Sequence, residues 1–435
     1  MRILNWQELD AAGRRAALAR PALEARADIA TDVARLIGTV RAEGDAALLR
    51  LTERFDKVRL DSLAVGPAEF AAARPALLPG QIAALERAVA NVTTFHAAQQ
   101  LPRLSLETSP GVRCERITRA IRAVGLYVPA GSAPLPSAVI MLAVPARLAG
   151  CPQRVLCTPP MRDGHAHPSV LVAAQLCGIE SVFKVGGAQA IAALAYGTGS
   201  IPKVDKIFGP GNAWVTAAKQ QVAADPDGAA VDMPAGPSEV LVIADATARA
   251  DFVAADLLAQ AEHDPQSQAI LVTPCAALAD AVAAEVQRQM ATLSRHEILV
   301  HSIAASRCIV VPDLDTAIAV SNDYAPEHLL LQVRQPRACL DRIRNAGSIF
   351  LGDWSPEPLG DYCSGTNHVL PTYGYARAYS GLSLSDFSKR ITVQELSPDG
   401  LRDLGPVAAT LAHLEGLTAH ASAVEQRLAV LEQRR

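Results

Sequence analysis

The spacing of apolar residues changes near residue 120. Before that point, apolar side chains recur every three or four positions through residues 29–55 and 81–99, which is the period of an amphipathic helix. We therefore predict that residues 1–120 form a helical N-terminal region. Because an amphipathic helix buries its apolar face against another element, we expect this region to pack on the units that follow.

From Ile121 onward, short apolar runs alternate with alanine-rich helical stretches. Runs such as GLYV, SVFKV, EVLVIAD and HLLLQV have the length of buried strands, and this alternation is typical of parallel sheets with crossover helices. One series covers residues 121–237 and a second covers 238–380, with the Pro/Gly-rich DMPAGPSEV at the change. The pattern predicts an α/β fold of two Rossmann-like parallel units. Residues 381–435 are predicted to form a small helical tail, which must pack on its own body or on another subunit because it buries little surface alone.

Composition narrows the class of protein. The chain has 435 residues, of which 50% are hydrophobic and 19% are charged, so it is globular and long enough for two or three domains. A net charge of −4 and an aromatic content of 4% argue against a nucleic-acid partner or an anionic membrane surface. The N-terminus lacks a signal-peptide pattern, and eight cysteines without a CxxC pair are typical of reduced thiols, so we expect a cytoplasmic protein.

Two glycine turns follow predicted strands of the first series. Gly186 and Gly187 lie between SVFKV and a helix, and the GPGN segment at 209–212 lies between DKIF and another helix. Such turns let backbone N–H groups approach an anion at a helix N-terminus. Neither turn spells the GxGxxG fingerprint of dinucleotide-binding folds. Phosphate binding and ordinary strand-to-helix turns both remain open.

Two further features could bind ligands. Tyr127 ends a predicted strand, where open α/β sheets bind ligands, although a packed tyrosine would also fit. Gln260 and His263 lie three residues apart at a predicted helix end, so they share a face that could hold a metal ion. By residue type alone, Glu262 or Asp264 would be a stronger partner for His263 than the neutral amide. A simple polar helix end is the alternative.

Three polar segments complete the candidates. Glu327 and His328 precede the strand HLLLQV, where a carboxylate and an imidazole could divide acid–base work. The glycine-flanked loop 360–368 has the composition of a ligand-binding loop. Residues 415–420, EGLTAH, lie in the predicted tail. Each segment also fits a surface role, so none decides a function by itself.

The motifs in their order resemble the L-histidinol dehydrogenase family over essentially the whole chain. The resemblance rests on the segments VGLYVPAGSAPLPS, CTPP, KVGGAQAIAALAYGT, IFGPGNAWVTAAK, DMPAGPSEVLVIAD, LLAQAEHDPQSQ, SNDYAPEHL, GSIFLG, GDYCSGTNHVLPT, SGLSLSDF and EGLTAHASAV. One departure is Ala130, where the family usually has glycine. This position lies near the expected cofactor turn and is no expected ligand.

The resemblance implies an NAD-dependent enzyme that oxidises L-histidinol through the aldehyde to L-histidine. It implies NAD binding by residues 121–237, substrate and zinc binding by 238–380 with 1–120 packed against this unit, and homodimerisation through 381–435. The implied zinc ligands are Gln260, His263 and Asp361 of one subunit and His420 of the other. The implied acid–base pair is Glu327 and His328. The implied substrate contacts are the zinc ligands, His328, Ser238, His368 and Glu415 of the second subunit, and the implied NAD contacts are Tyr127, Gln189 and Asn212.

Three alternatives to this function remain open. A thiol-type aldehyde dehydrogenase would use Cys363 or Cys157 as nucleophile but would leave the expected metal ligands unused. A related zinc-dependent NAD alcohol dehydrogenase would act on another substrate. A non-catalytic metal-binding or structural protein would form no NADH with any alcohol.

Overall fold

The computed structural model describes residues 1–20, 26–130, 133–234 and 236–433. These residues form two compact units. The main unit comprises Met1–Gln99 and Ile121–Phe387, and the tail unit comprises Gln100–Ala120 and Ser388–Arg435. Parts of two motifs used above, at residues 131–132 and 235, lie outside the described residues.

The strands, in chain order, are β1 (Arg2–Asn5), β2 (Leu104–Ser109), β3 (Val112–Ala120), β4 (Ala123–Tyr127), β5 (Gln153–Thr158), β6 (Ser181–Lys184), β7 (Lys206–Phe208), β8 (Ala230–Val231), β9 (Glu239–Ala244), β10 (Gln268–Thr273), β11 (Arg307–Val310), β12 (His328–Gln332), β13 (Ser348–Leu351) and β14 (Ser388–Leu396). The α-helices are α1 (Ala11–Ala17), α2 (Arg26–Glu43), α3 (Asp45–Phe55), α4 (Pro67–Ala73), α5 (Pro79–Ala97), α6 (Pro136–Leu148), α7 (Pro168–Leu176), α8 (Gly187–Tyr196), α9 (Ala213–Ala224), α10 (Ala250–Ala261), α11 (Ala276–Met290), α12 (His296–Ala305), α13 (Leu314–Tyr324), α14 (Glu357–Tyr362), α15 (Pro398–Leu414) and α16 (Thr418–Gln433).

The main unit contains the two parallel sheets that the sequence predicts. The five-stranded sheet has the order β6-β5-β4-β7-β8, and the six-stranded sheet has the order β1-β11-β10-β9-β12-β13. Every strand pair in both is parallel. All residues of β4, β9, β10 and β12 are buried, as expected of parallel strands covered on both faces. The predicted α/β class is therefore confirmed.

The predicted helical region over residues 1–120 is wrong in two places. Residues 2–5 form β1, which pairs with β11 at the edge of the six-stranded sheet. Residues 104–120 contain β2 and β3 of a third sheet, which is antiparallel. The partners of β1 and β3 lie about 305 and about 270 to 285 residues away in the chain, so local periodicity carries no sign of these pairings.

The packing expected for the N-terminal helices is also different. The apolar face of α2, including Val33 and Val40, enters the core between α8 and α9, beside Leu194 and Val215. Helices α4 and α5 likewise contact α6 and α7. These helices therefore cover the five-stranded sheet, whereas the sequence placed them on the substrate and metal unit. Among the described residues of this region, only those of the first stretch, including Trp6 and Ala17, join the core of the six-stranded sheet.

The tail unit is an antiparallel sheet, β14-β3-β2, together with α15 and α16, which pack against each other. It starts at residue 388 rather than 381 and includes residues 100–120. Its buried apolar cluster consists of small side chains, Ala409, Ala412 and Ala421, while Leu411 and Leu414 are exposed. Within the described residues, no helix combines the length and the apolar character needed to cross a bilayer.

Candidate active site

A pocket of about 950 Å³ in the main unit brings together residues from both parallel sheets. Its lining includes the predicted site residues Tyr127, Gln189, Asn212, Ser238, His263, Glu327 and His368. The first three follow the five-stranded sheet at the carboxyl ends of its strands. Ser238 and Glu327 immediately precede β9 and β12, so the six-stranded sheet contributes through the amino ends of its strands. Parallel sheets usually bind ligands at their carboxyl ends, and only one of the two sheets follows that rule here.

The two glycine turns of the five-stranded sheet pack closely against Tyr127, the last residue of β4. Gly187 has a φ of +66°, and its N–H donates to the Tyr127 hydroxyl at 3.0 Å. Burial raises the pKa of Tyr127 to about 12, so this hydroxyl stays neutral. Gly209 has a φ of +129°, and a Cβ there would lie 2.1 Å from the Tyr127 carbonyl oxygen. Only glycine fits this approach.

A buried ion pair that the sequence analysis missed supports the second turn. The Lys219 ammonium pairs with the Asp232 carboxylate and donates to the Gly209 carbonyl at 2.9 Å. The Gly209 N–H donates to Asp232 Oδ2 at 2.8 Å. Both charged side chains are therefore occupied in fixing the backbone of this turn. The position of Asp232 in the DMPAGPSEV segment was the only sequence signal for it.

The helix beginnings after the two turns differ. Asn212 caps α9, because its Oδ1 accepts from the N–H groups of Trp214 and Val215 at 3.1 and 3.2 Å. Helix α8 begins at Gly187 after Gly186, with no side-chain cap. Its backbone N–H groups are thus better placed to receive an anion than those of α9.

Glu327 and His328 form a buried pair beside the pocket. Glu327 Oε2 lies 3.6 Å from His328 Nδ1, and His328 Nε2 lies 3.4 Å from Asp361 Oδ1. Burial raises the pKa of Glu327 to about 8. Burial disfavours the His328 imidazolium, but the carboxylates of Glu327 and Asp361 outweigh it and raise the pKa of His328 to about 10. Both groups therefore favour their protonated forms at neutral pH, so the buried pair can hold a proton and pass it on.

A group of potential metal ligands lies next to this pair. Ligand atoms of His263, Glu357 and Asp361 lie within 4.8 Å of one another. The Gln260 side-chain amide lies 3.1 Å from Glu357 Oε1. The structure thus brings Gln260, His263 and Asp361 into one cluster.

Glu357 belongs to this cluster and was not singled out from the sequence. It begins α14 four residues before Asp361, so the shared helix face could have indicated it. Glu357 Oε2 is buried and has no hydrogen-bond partner in the described residues. A bound cation would compensate this buried oxygen. Imidazole, carboxylate and amide donors are a set that suits zinc, so the residues present fit that ion.

The remaining predicted residues fall into two groups. His328, Gln260 and Asp361 contact residues of the pocket wall; the Asp361 carbonyl accepts from His368 Nδ1–H at 2.7 Å. Glu415 and His420 belong to the tail unit, after the end of α15 and in the first turn of α16, and both are exposed. Their roles stay predictions.

Comparison with known proteins shows which family the chain belongs to. A family model described as histidinol dehydrogenase matches residues 19–428. The chain belongs to the histidinol dehydrogenase family. The histidinol dehydrogenase of Xanthomonas euvesicatoria pv. vesicatoria is 57% identical over 430 residues, covering 99% of this chain and 100% of that protein. The one from Vibrio parahaemolyticus is 56% identical over 436 residues, covering 100% of each.

A solved structure extends the likeness to the fold. The crystal structure of histidinol dehydrogenase from Elizabethkingia anophelis superposes with a TM-score of 0.96 at 45% identity, covering 99% of each chain. The resemblance stated from the sequence is thereby confirmed. The chain is an oxidoreductase of the histidinol dehydrogenase family, whose members are NAD-dependent.

The thiol-based alternative has no support from the described residues. Cys157 is fully buried, and burial raises the pKa of its thiol. Cys363 is not among the residues that line the pocket in the described part of the chain.

Proposed function

We propose that this chain oxidises L-histidinol to L-histidine in two steps, each of which reduces one NAD. The observation that carries the proposal is the buried Glu327–His328 pair, which adjoins both a metal-type cluster and a pocket with a cofactor-type glycine turn. The first step converts the alcohol and NAD⁺ to the aldehyde, NADH and a proton. The second converts the aldehyde, water and NAD⁺ to the carboxylate, NADH and two protons.

The acid–base roles follow from position. NAD, when bound, accepts the hydride in each step. His328 accepts the proton of the alcohol as the carbon–oxygen double bond forms; its imidazole would be neutral for this step once a cation bound at Asp361 offsets the carboxylate that raises its pKa. The aldehyde has no hydride to give until water adds to it. Glu327 lines the pocket, and its raised pKa suits it to accept a proton from that water.

The cofactor is expected at the carboxyl ends of the five-stranded sheet. Tyr127, Gln189 and Asn212 all line the pocket there. The uncapped start of α8 would bind the pyrophosphate, while Asn212 keeps α9 in place through its cap. Two NAD molecules must enter and leave in turn, so a site without the full GxGxxG fingerprint fits exchange during one reaction cycle.

The stoichiometry of NADH tests the proposed reaction. Purified protein given limiting L-histidinol and excess NAD should form two NADH per histidinol, with L-histidine as product. One NADH per substrate with an aldehyde product would indicate a simple alcohol dehydrogenase. No NADH would contradict catalysis on this substrate.

Zinc is proposed as the bound metal, held by Gln260, His263 and Asp361 together with His420 of a second subunit. When bound, zinc would hold the imidazole and amino nitrogens of histidinol. Gln260, His263 and Asp361 all belong to the preformed main unit, so the metal is needed for activity but not for folding. Chelation should abolish turnover while far-UV circular dichroism stays unchanged. Loss of secondary structure together with activity on chelation would contradict the assignment. So would a Co²⁺-substituted protein whose absorption spectrum is the same in the wild type and in Asp361→Asn.

We propose that the tail unit completes the site of a second subunit in a cytoplasmic homodimer, through Glu415 and His420. Both are exposed on a unit with a very small core, so they are available to a partner. A His420→Ala chain paired with a Glu327→Ala chain should give dimers with one doubly defective and one intact site. Each mutant homodimer should be nearly inactive, and purified mixed dimers should regain about half of the activity. No recovery in confirmed mixed dimers would show that the sites are not shared.

A further inference from the structure

Arg20 forms a buried ion pair with Glu239 that the function above does not use. The two side chains are 12% and 2% exposed. The Arg20 Nε pairs with Glu239 Oε1, and Nη2 donates to Oε2 at 3.0 Å, so the contact is a two-pronged fork. The guanidinium also lies 3.9 Å from the centre of the Tyr324 ring. This geometry requires arginine rather than a point charge.

The same guanidinium holds the backbone that leads into the acid–base pair. Arg20 Nη2 donates to the carbonyls of Tyr324 and Ala325 at 2.8 and 3.4 Å. Ala325 has a φ of +55°, a left-handed conformation that alanine does not favour. It lies two residues before Glu327. Such a conformation persists only where the surroundings enforce it, and the donors of Arg20 do so.

Glu239 holds the pair from the other side through its main chain. Its N–H donates to Glu327 Oε2 at 2.8 Å, and its carbonyl accepts from His328 Nδ1–H at 3.1 Å. One residue therefore sets the position of both side chains. Its own carboxylate is fixed by Arg20 and by the Tyr373 N–H, which donates to Oε1 at 3.0 Å. Arg20 thus contacts both the first residue of β9 and the turn before β12.

We propose that Arg20, through Glu239, is a positioning residue that orients Glu327 and His328 for proton transfer. The inference rests on the proposed function, because it assumes that this pair carries the chemistry. A buried ion pair by itself is weak evidence for a role in stability, since apolar residues of similar volume often serve as well. The value of this pair lies in the alignment that it imposes on two other side chains.

The test compares arginine variants with a matched control. Arg20→Lys keeps the positive charge but cannot make the two parallel hydrogen bonds to Glu239. Arg20→Met removes both the charge and the hydrogen bonds. Each should lower kcat by about 100-fold, as a small misplacement of catalytic groups does. KM for histidinol and for NAD should change by about twofold or less, because neither binding contact is removed.

Arg307→Met is the control. Arg307 Nη1 donates to the carbonyls of Ala17 and Ala19 at 2.5 and 3.1 Å, so it anchors the same N-terminal segment without touching Glu239. Its loss should lower the melting temperature but leave kcat per folded protein near the wild-type value. This separates anchoring of the segment from orientation of the pair.

Chemical rescue supplies a readout that a purely structural role would not move. Arg20→Ala leaves a space that guanidinium ion can enter, so low concentrations of guanidinium should raise kcat, whereas equal concentrations of urea should not. Equal effects of the two solutes would overturn the inference. So would losses of kcat in Arg20→Lys that match those in Arg307→Met. If Arg20→Met does not fold, the lysine variant and the rescue decide alone.

Glu327→Gln and His328→Asn, measured alongside, distinguish the two levels of the argument. If both keep wild-type kcat, the proposed acid–base function is wrong and the positioning role falls with it. If both lose kcat while the Arg20 variants do not, only the positioning role is wrong.

Discussion

The two parallel sheets of the main unit contribute to one pocket by different means. The five-stranded sheet offers backbone: two glycine turns, an uncapped helix start and a buried Lys219–Asp232 pair that serves one of those turns. The six-stranded sheet offers buried side chains, with Glu327, His328 and Glu357 all less than a tenth exposed. Close backbone packing determines the part of the pocket from the five-stranded sheet, which we call the cofactor half. Buried charged side chains determine the part from the six-stranded sheet, which we call the acid–base half.

The difference matches the two tasks of the proposed reaction. A cofactor that exchanges between steps can be bound by backbone groups. With such contacts, no charged side chain has to lose its hydration each time a new cofactor binds. The acid–base half must keep proton donors and acceptors away from water, because burial is what brings the pKa of Glu327 to about 8. Changes in the acid–base half should therefore alter rates, and changes in the cofactor half should alter NAD binding and folding.

The largest effect is expected for Glu327→Gln. The amide keeps an oxygen that can accept the Glu239 N–H, but it cannot accept a proton from water. The aldehyde step should fall by about 1,000-fold, within the range for removal of a general base. The alcohol step should survive far better, because His328 takes that proton.

Separate assays with histidinol and histidinaldehyde measure the two steps. The control is Glu262→Gln, a carboxylate that neighbours His263 in the chain and lies outside the Glu327–His328 pair. Equal losses in both steps would assign Glu327 to electrostatic support rather than to activation of water.

The next effect tests the cost of buried charge beside this site. Asp256 on α10 is 5% exposed and accepts from Gln332 Nε2 at 2.6 Å. Burial raises its pKa from 3.8 to about 7. Between these values the unfolded chain loses this proton while the folded chain keeps it, so stability falls as pH rises to about 7 and then stays low. Asp256→Asn removes this dependence and should stabilise the fold by about 3 kcal/mol at pH above 7.

Thermal unfolding at several pH values measures this gain, which should vanish near pH 4. Asp245→Asn is the matched control with the opposite sign. Hydrogen bonds from Arg334 and Thr247 outweigh partial burial and lower the pKa of Asp245, so its carboxylate stabilises the fold above pH 4. That variant should lose stability where Asp256→Asn gains it.

A smaller effect is expected in the cofactor half from Gly209→Ala. The added Cβ would lie 2.1 Å from the Tyr127 carbonyl oxygen at a φ of +129°, so the turn must shift. We expect a loss of about 2 kcal/mol in stability and a higher KM for NAD, while Co²⁺ binding stays unchanged. Gly38→Ala is the control, because its Cβ would meet nothing within 4 Å in a helix and should be neutral or slightly stabilising. An unchanged KM for NAD would show that this turn does not contact the cofactor.

The sequence predicted the parallel sheets because buried parallel strands are continuous apolar runs, as in EVLVIA and HLLLQ. It also marked the Glu327–His328 pair by residue type. Residue type alone favoured Glu262 or Asp264 beside His263, and only the resemblance selected Gln260. In the structure Gln260 is 1% exposed and Asp264 is exposed, and the role of Gln260 as a metal ligand stays a prediction.

Three of the unpredicted features share one property. The β1–β11 pairing, the β3–β14 pairing and the Arg20–Glu239 pair each join residues more than 200 positions apart. No local sequence pattern indicates such pairs, because each partner by itself looks like an ordinary polar residue or an ordinary edge strand. Lys219 and Asp232 are closer in sequence, but their function becomes visible only when the backbone of Gly209 is placed between them.

The smallest effect separates two roles of Asn212. Its Oδ1 caps α9 through the N–H groups of Trp214 and Val215, and it also lines the pocket. Asn212→Ala should cost about 1 kcal/mol of stability, the usual loss of an N-cap. Asn212→Asp keeps a capping oxygen, so its melting temperature should match the wild type. If Asn212 also lies near the bound cofactor, the added negative charge repels the pyrophosphate, and KM for NAD should rise in the aspartate variant and fall back at high salt. If KM for NAD changes only in Asn212→Ala, the variant that loses the cap, and stays at the wild-type value in Asn212→Asp, then Asn212 serves only as a cap.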